Sequence, residues 1–125
     1  FTMDSAFYYH GLTDVIPDKY YLMTGRGASR ISDKRVVQSF ENSEALYLGA
    51  DYISYNGFDL RMYNRERMLL ELLRNKNKLP FDYYKEILRS YRKIIDKLDM
   101  QSIQDMVPVI PKSGMIMELL ETEVL

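Results

Sequence analysis

The segment SAFYYHGLTD, residues 5–14, holds the one histidine of the chain, His10, the first group to weigh as a catalyst. A nucleophilic hydroxyl needs a base beside it, usually an imidazole. A histidine metal site recruits several imidazoles, or imidazoles with carboxylates, at helical or hairpin spacing. No spacing sets a serine against His10, and Asp14 lies four residues on but across the break at Gly11. The expected role is structural: His10 and Gly11 end a short helix and turn the chain.

Two further stretches invite a chemical reading. GRGASR, residues 25–30, has glycines and cations but lacks the Gly, four residues, Gly-Lys-Ser/Thr spacing of a phosphate-cradling loop. It reads as a turn between two strands, from which Arg26 and Arg30 could still touch phosphate. Asp51 with Asp59-Leu60-Arg61 comes nearest to the Asp and Asp/Glu-x-Lys pattern of metal-dependent nucleases. Arginine in the lysine position stays protonated and cannot serve as the base that orients water. No catalytic set, metal site or cofactor site is expected, and the chain is read as a non-enzyme.

Binding is the stronger expectation, because charge is unevenly spread. Residues 1–60 hold five Lys/Arg against eight Asp/Glu, residues 61–97 eleven against five, and residues 98–125 one against five. A net charge of −1 therefore conceals a basic middle third suited to a polyanion or an acidic protein surface. Its candidate partner-binding residues are Arg61, Arg65, Arg74, Lys85, Arg89, Arg92 and Lys93, with Tyr63 and Tyr83 placed to stack on bases if they face outward.

Local signals place these groups on elements. Asp4 or Ser5 is the expected cap of a helix running through His10. Residues 19–24 and a run within residues 34–42 read as strands, and residues 43–49 as one or two helical turns ending at Gly49. Asn56-Gly57 between two alternating runs marks a hairpin over residues 51–63. Asn64 caps a helix through about Asn75 with Met68, Leu69, Leu72 and Leu73 as its buried stripe. Tyr84, Ile87, Leu88, Tyr91, Ile94, Ile95 and Leu98 recur at helical spacing opposite Lys85, Arg89, Arg92, Lys93 and Lys97. Asp99 caps a helix toward Met106, and Ser113 is expected to cap a last one. Strands first and helices second imply an α+β fold, a small and largely antiparallel sheet in the N-terminal half packed against a C-terminal helical bundle.

At 125 residues the chain reads as one domain spanning residues 1–125. It contains no cysteine, which excludes disulfides and thiolate metal sites and suits a reducing interior, so the cytoplasm is the expected location. No apolar run approaches the roughly 18 residues of a membrane span. Because the sequence starts at Phe1 rather than a methionine, a segment upstream is expected.

The order of motifs carries a resemblance. SAFYYHGLTDVIPDKYYLMT, then YNRERMLLELLR (residues 63–74), then LPFDYYKEILRSYRKIIDKLD together resemble the C-terminal domain of the AbiEi family, the antitoxins of abortive-infection toxin–antitoxin systems. In the second stretch the family's capping residue, Glu-Arg and later acidic position fall on Asn64, Glu66, Arg67 and Glu71. Asn64 and Met68 stand where threonine is common, and Glu71 where aspartate is. Glu66 sits in the first turn, where the helix dipole favours an anion, and Arg67 and Glu71 are one turn apart and can pair. The resemblance implies an antitoxin and transcriptional-regulator domain that counteracts a nucleotidyltransferase-like toxin, without requiring a stable complex with it. It also implies that the winged helix-turn-helix that binds operator DNA in such antitoxins is absent from this chain. DNA or RNA are the other implied partners, and an enzyme that reverses or blocks the toxin's modification is the alternative.

Overall fold

The computed structural model describes residues 1–125, with strands in the middle of the chain and five helices around them. In order they are α1 (Met3–Tyr9), β1 (Tyr20–Gly25), β2 (Val36–Glu41), β3 (Ala50–Tyr55), β4 (Phe58–Tyr63), α2 (Arg65–Arg74), α3 (Phe81–Ile94), α4 (Met100–Met106) and α5 (Ser113–Leu119). No helix is long and apolar enough to cross a membrane.

The mixed α and β composition matches expectation, but the sheet does not. β1 and β2 pair in parallel, with Tyr20 opposite Val36 and Gly25 opposite Glu41, while β3 and β4 form a separate antiparallel ribbon. A parallel return must retrace β1, about 20 Å at roughly 3.3 Å per residue. The connection over residues 26–35 can reach about 33 Å when extended, which suffices without a crossover helix. Gln38 fixes it: its carbonyl oxygen accepts the Ile31 N–H at 2.7 Å, and its amide donates to Thr24 Oγ1 at 2.8 Å and Ser29 O at 3.2 Å. The β3–β4 hairpin forms at the expected turn, with Asn56 at φ +48° and Gly57 at φ +83°, the left-handed pair that a tight hairpin requires.

α2 is the central element. Asn64 caps it as expected, its side-chain oxygen accepting the Arg67 N–H at 2.8 Å. The expected stripe of Met68, Leu69, Leu72 and Leu73 is fully buried, but so is every other residue from Arg67 to Leu73. α1, α3, α4, α5 and β4 enclose the helix, and a helix closed in on every side has no solvated face. Each of its four buried leucines contributes about 1.5–3 kcal/mol by burial. α3 lays Tyr84, Ile87, Leu88 and Tyr91 against this core and ends at Ile94, where the chain tightens into a turn at Ile95–Lys97 instead of continuing to Leu98.

Three local expectations are corrected. Ser5 does not cap α1. It lies buried within the helix, and its hydroxyl accepts the Tyr21 N–H at 2.9 Å, joining α1 to β1, while Thr2 precedes the helix. Residues 43–49 form consecutive tight turns rather than a helix, because their carbonyls serve side chains elsewhere: Tyr63 Oη donates to Leu46 O at 2.6 Å, and Arg67 Nη1 to Ala45 O at 2.5 Å and Leu48 O at 2.7 Å. Ser113 is the first residue of α5, not its cap. Lys112 precedes it in the left-handed conformation, φ +69°. Asp99 does cap α4, accepting the Ser102 N–H at 3.1 Å.

Candidate functional site

His10 closes α1, followed by Gly11 at φ +72°. Its Nε2 lies 2.7 Å from Tyr63 O, and because a carbonyl only accepts, Nε2 carries the hydrogen. That bond ties the end of α1 to the end of β4, 53 residues away in sequence. Arg65, Glu66 and Asn64 share the shallow cleft beside the ring, and no three His, Cys, Asp or Glu side chains anywhere in the chain converge as metal ligands.

Burial pushes the His10 pKa below its ordinary value, against the Tyr63 bond that favours the protonated form. Between pH 6.5 and the lower native pKa the unfolded chain binds the proton and the folded chain does not, so this group leaves stability intact above about pH 6.5 and removes it as the pH falls below. Urea midpoints of the wild type and His10→Gln should therefore run parallel between pH 7 and pH 8. The wild type should then drop more steeply between pH 6.5 and pH 5; identical slopes there would refute the shift.

The Glu66-Arg67-Glu71 motif resolves into two devices. Glu66 Oε2 accepts the Asp99 N–H at 3.1 Å and so anchors the start of α4. Arg67 is fully buried, with Nε 3.3 Å from Glu71 Oε2, Nη2 3.6 Å from Glu41 Oε2, and its guanidinium carbon 4.1 Å from the Tyr63 ring centre. The expected Arg67–Glu71 pair is therefore present, but it belongs to a quartet. Arg74 reaches Glu71 Oε1 and Oε2 at 2.8 Å each and pairs with Glu41, which the sequence reading did not include. Two guanidiniums and two carboxylates balance. Burial within this cluster pushes the Tyr63 phenol up to about 12.

The seven cations expected to form one surface divide by location. Arg74 is consumed in the quartet. Arg61 lies over the rings of Tyr47 and Tyr52, at 5.2 and 5.9 Å from their centres. Arg65 is half-buried beside His10, and its carbonyl accepts the Tyr91 hydroxyl at 2.8 Å. Lys85, Arg89, Arg92 and Lys93 stay together: all four are exposed on α3 and fall within about 100° of arc. None of the four pairs with a carboxylate. Lys85 rests over the Phe81 ring, and Arg92 Nε donates to the backbone oxygen of Glu123 at 2.8 Å. Tyr83 does not face outward; its hydroxyl is buried. Tyr63 is buried as well.

A cleft of about 210 Å³ opens above the quartet, between β2, the C-terminal end of α2 and the turn before α5. Arg26, from the glycine-flanked turn after β1, lines it, whereas Arg30 lies over the Phe40 ring at 5.9 Å. No protein-family model and no characterised protein matches the chain.

Proposed function

We propose that this chain is a non-catalytic antitoxin and regulator domain of an abortive-infection toxin–antitoxin system, acting in the cytoplasm against a nucleotidyltransferase-like toxin. It works by binding, through the cationic face of α3, to nucleic acid or to an acidic protein surface. The supporting observation is that Lys85, Arg89, Arg92 and Lys93 share one exposed arc free of carboxylate partners. The groups with catalytic potential are engaged otherwise: the His10 ring on a carbonyl, and Glu71 and Arg67 in a closed ion cluster. A surface cation costs little to expose and, with its stem packed on the helix, keeps its charge available to a partner.

Arg89→Glu with Lys93→Glu tests this reading by co-expression with the product of the neighbouring gene, scored for growth. Growth rescue should be lost while the circular dichroism spectrum and melting midpoint stay at wild-type values, since both side chains are exposed and unpaired. Rescue that survives the double charge reversal overturns the assignment of this face. Where the partner is duplex DNA, log affinity should fall with log salt at a slope of about −3 to −4, as expected for four phosphate contacts.

A further inference from the structure

The turn GRGASR lacks the spacing of a phosphate-binding loop, yet the fold brings its first arginine to the cleft above the buried quartet. Three cations reach that cleft from three separate parts of the chain: Arg26 after β1, Lys78 after α2, and Lys112 before α5. All three are exposed at its rim and none has a carboxylate partner. The two carboxylates that also line it, Glu41 and Glu71, are neutralised by Arg67 and Arg74 behind and beside them. The wall is therefore balanced and the rim carries three positive charges, which concentrates an attractive field for anions in the opening.

Backbone geometry adds an independent observation. Lys112 stands at φ +69°, a conformation that costs a side-chain-bearing residue energy and that glycine adopts freely. Such conformations persist where the surroundings enforce them and concentrate at ligand sites. At this position the strained residue is a lysine that lines the cleft, not a glycine or asparagine. The cleft volume of about 210 Å³ falls below the range of roughly 300–1,000 Å³ that encloses a drug-sized molecule, so it suits a compact anionic group.

We propose that the cleft rimmed by Arg26, Lys78 and Lys112 binds a phosphate or diphosphate group. A guanidinium offers paired donors to such an oxyanion, and the two ammonium groups supply charge without a geometric demand. Two sources share this chemistry, inorganic phosphate or diphosphate and the phosphate of a small phosphomonoester whose organic part remains outside. The site is separate from the α3 face.

Titration calorimetry on the full chain at low ionic strength, with inorganic phosphate, pyrophosphate and ribose 5-phosphate as probes, tests it. At least one probe should bind with a dissociation constant below about 1 mM. Arg26→Gln with Lys78→Gln should weaken that binding about tenfold or more, as the loss of charge-assisted bonds requires. Lys112→Gly should weaken it as well; glycine accepts the left-handed backbone, so this variant stays folded and circular dichroism verifies it. Lys85→Gln with Lys93→Gln should leave the affinity unchanged. Ribose 5-phosphate binding as tightly as pyrophosphate identifies an ester as the ligand, and preference for the inorganic ions identifies those. No heat with any probe, or equal weakening by the α3 variant, overturns the proposal. Loss of growth rescue on α3 charge reversal with phosphate affinity intact separates this site from the proposed antitoxin face.

Discussion

Arg67→Met is expected to lower unfolding free energy by about 3–5 kcal/mol, read as a shift of the urea midpoint at constant slope. The effect is large because Arg67 is fully buried and serves five partners at once. It pairs with Glu71, approaches Glu41, donates to the carbonyls of Ala45 and Leu48, and lies on the Tyr63 ring. Methionine replaces much of the volume but leaves Arg74 as the one cation against two buried carboxylates. It also removes the side-chain donor to the Leu48 carbonyl and leaves the Ala45 carbonyl with the Leu48 N–H alone, at 3.3 Å. A domain of this size is stable by about 5–15 kcal/mol, so the loss is between about a fifth and the whole of the total.

The mechanism is separable from lost packing. Removing a carboxylate together with the cation, as in Arg67→Met with Glu71→Leu, restores charge balance to a single Glu41–Arg74 pair. Replacement of buried ion pairs by apolar residues of similar volume is often neutral or stabilising. The double variant should therefore recover at least half of the stability lost by Arg67→Met alone. A double variant as unstable as the single one would show that the carbonyl bonds, not the uncompensated charge, dominate. An Arg67→Met change under about 1 kcal/mol would show that the quartet contributes little to stability.

Gly49→Ala should destabilise by about 2–5 kcal/mol. Gly49 sits at φ +75°, where an added Cβ costs roughly 1–2 kcal/mol of backbone energy. That Cβ would also lie 2.5 Å from Arg67 Cβ and 3.1 Å from Asn64 Oδ1. Arg67 Cβ is fixed to the helix backbone and Asn64 Oδ1 is held by the Arg67 N–H at 2.8 Å, so relief requires α2 to shift, and overpacking of this kind costs about 1–3 kcal/mol. The shift would also strain the bond from the Asn64 N–H to Gly49 O, 2.6 Å, and the cap that Asn64 forms on Arg67. Gly114→Ala is the matched control. Gly114 lies inside α5 with open space around its position, and alanine there should raise stability by about 0.5–1 kcal/mol. Urea unfolding of both variants checks the contrast; a Gly49→Ala protein as stable as wild type would mean that the turn before β3 yields without moving α2.

The Arg67–Glu71 pair and its neighbours show how much of this site is legible along the chain. Arg67 and Glu71 are one helical turn apart, and such pairs are visible as spacing. Arg74, three residues beyond Glu71, carries the same signal, but its equal fitness as an exposed cation masks it. Glu41 pairs with Arg74 across 33 residues, and no periodicity encodes that distance. The glycine turn presents the same division. Its Arg26 was visible as a cation near a turn, but its approach to Lys78 and Lys112 depends on how β1, α2 and α5 meet.

The sequence by itself determined the features held by bonds within a few residues: the Asn64 and Asp99 caps, the Asn56-Gly57 hairpin turn, the glycine stop after His10 and the apolar stripe of α3. Such interactions form or fail on local stereochemistry and spacing alone. Only the tertiary structure decided that β1 and β2 run parallel, that residues 43–49 give their carbonyls to Arg67 and Tyr63 instead of to a helix, and that a fully buried α2 closes over a four-member ion cluster. For residues 43–49 a local helix was available, but the buried Arg67 guanidinium and the Tyr63 hydroxyl, distant in the chain, took the carbonyls of Ala45, Leu46 and Leu48, and a helix there would have left those donors unpaired.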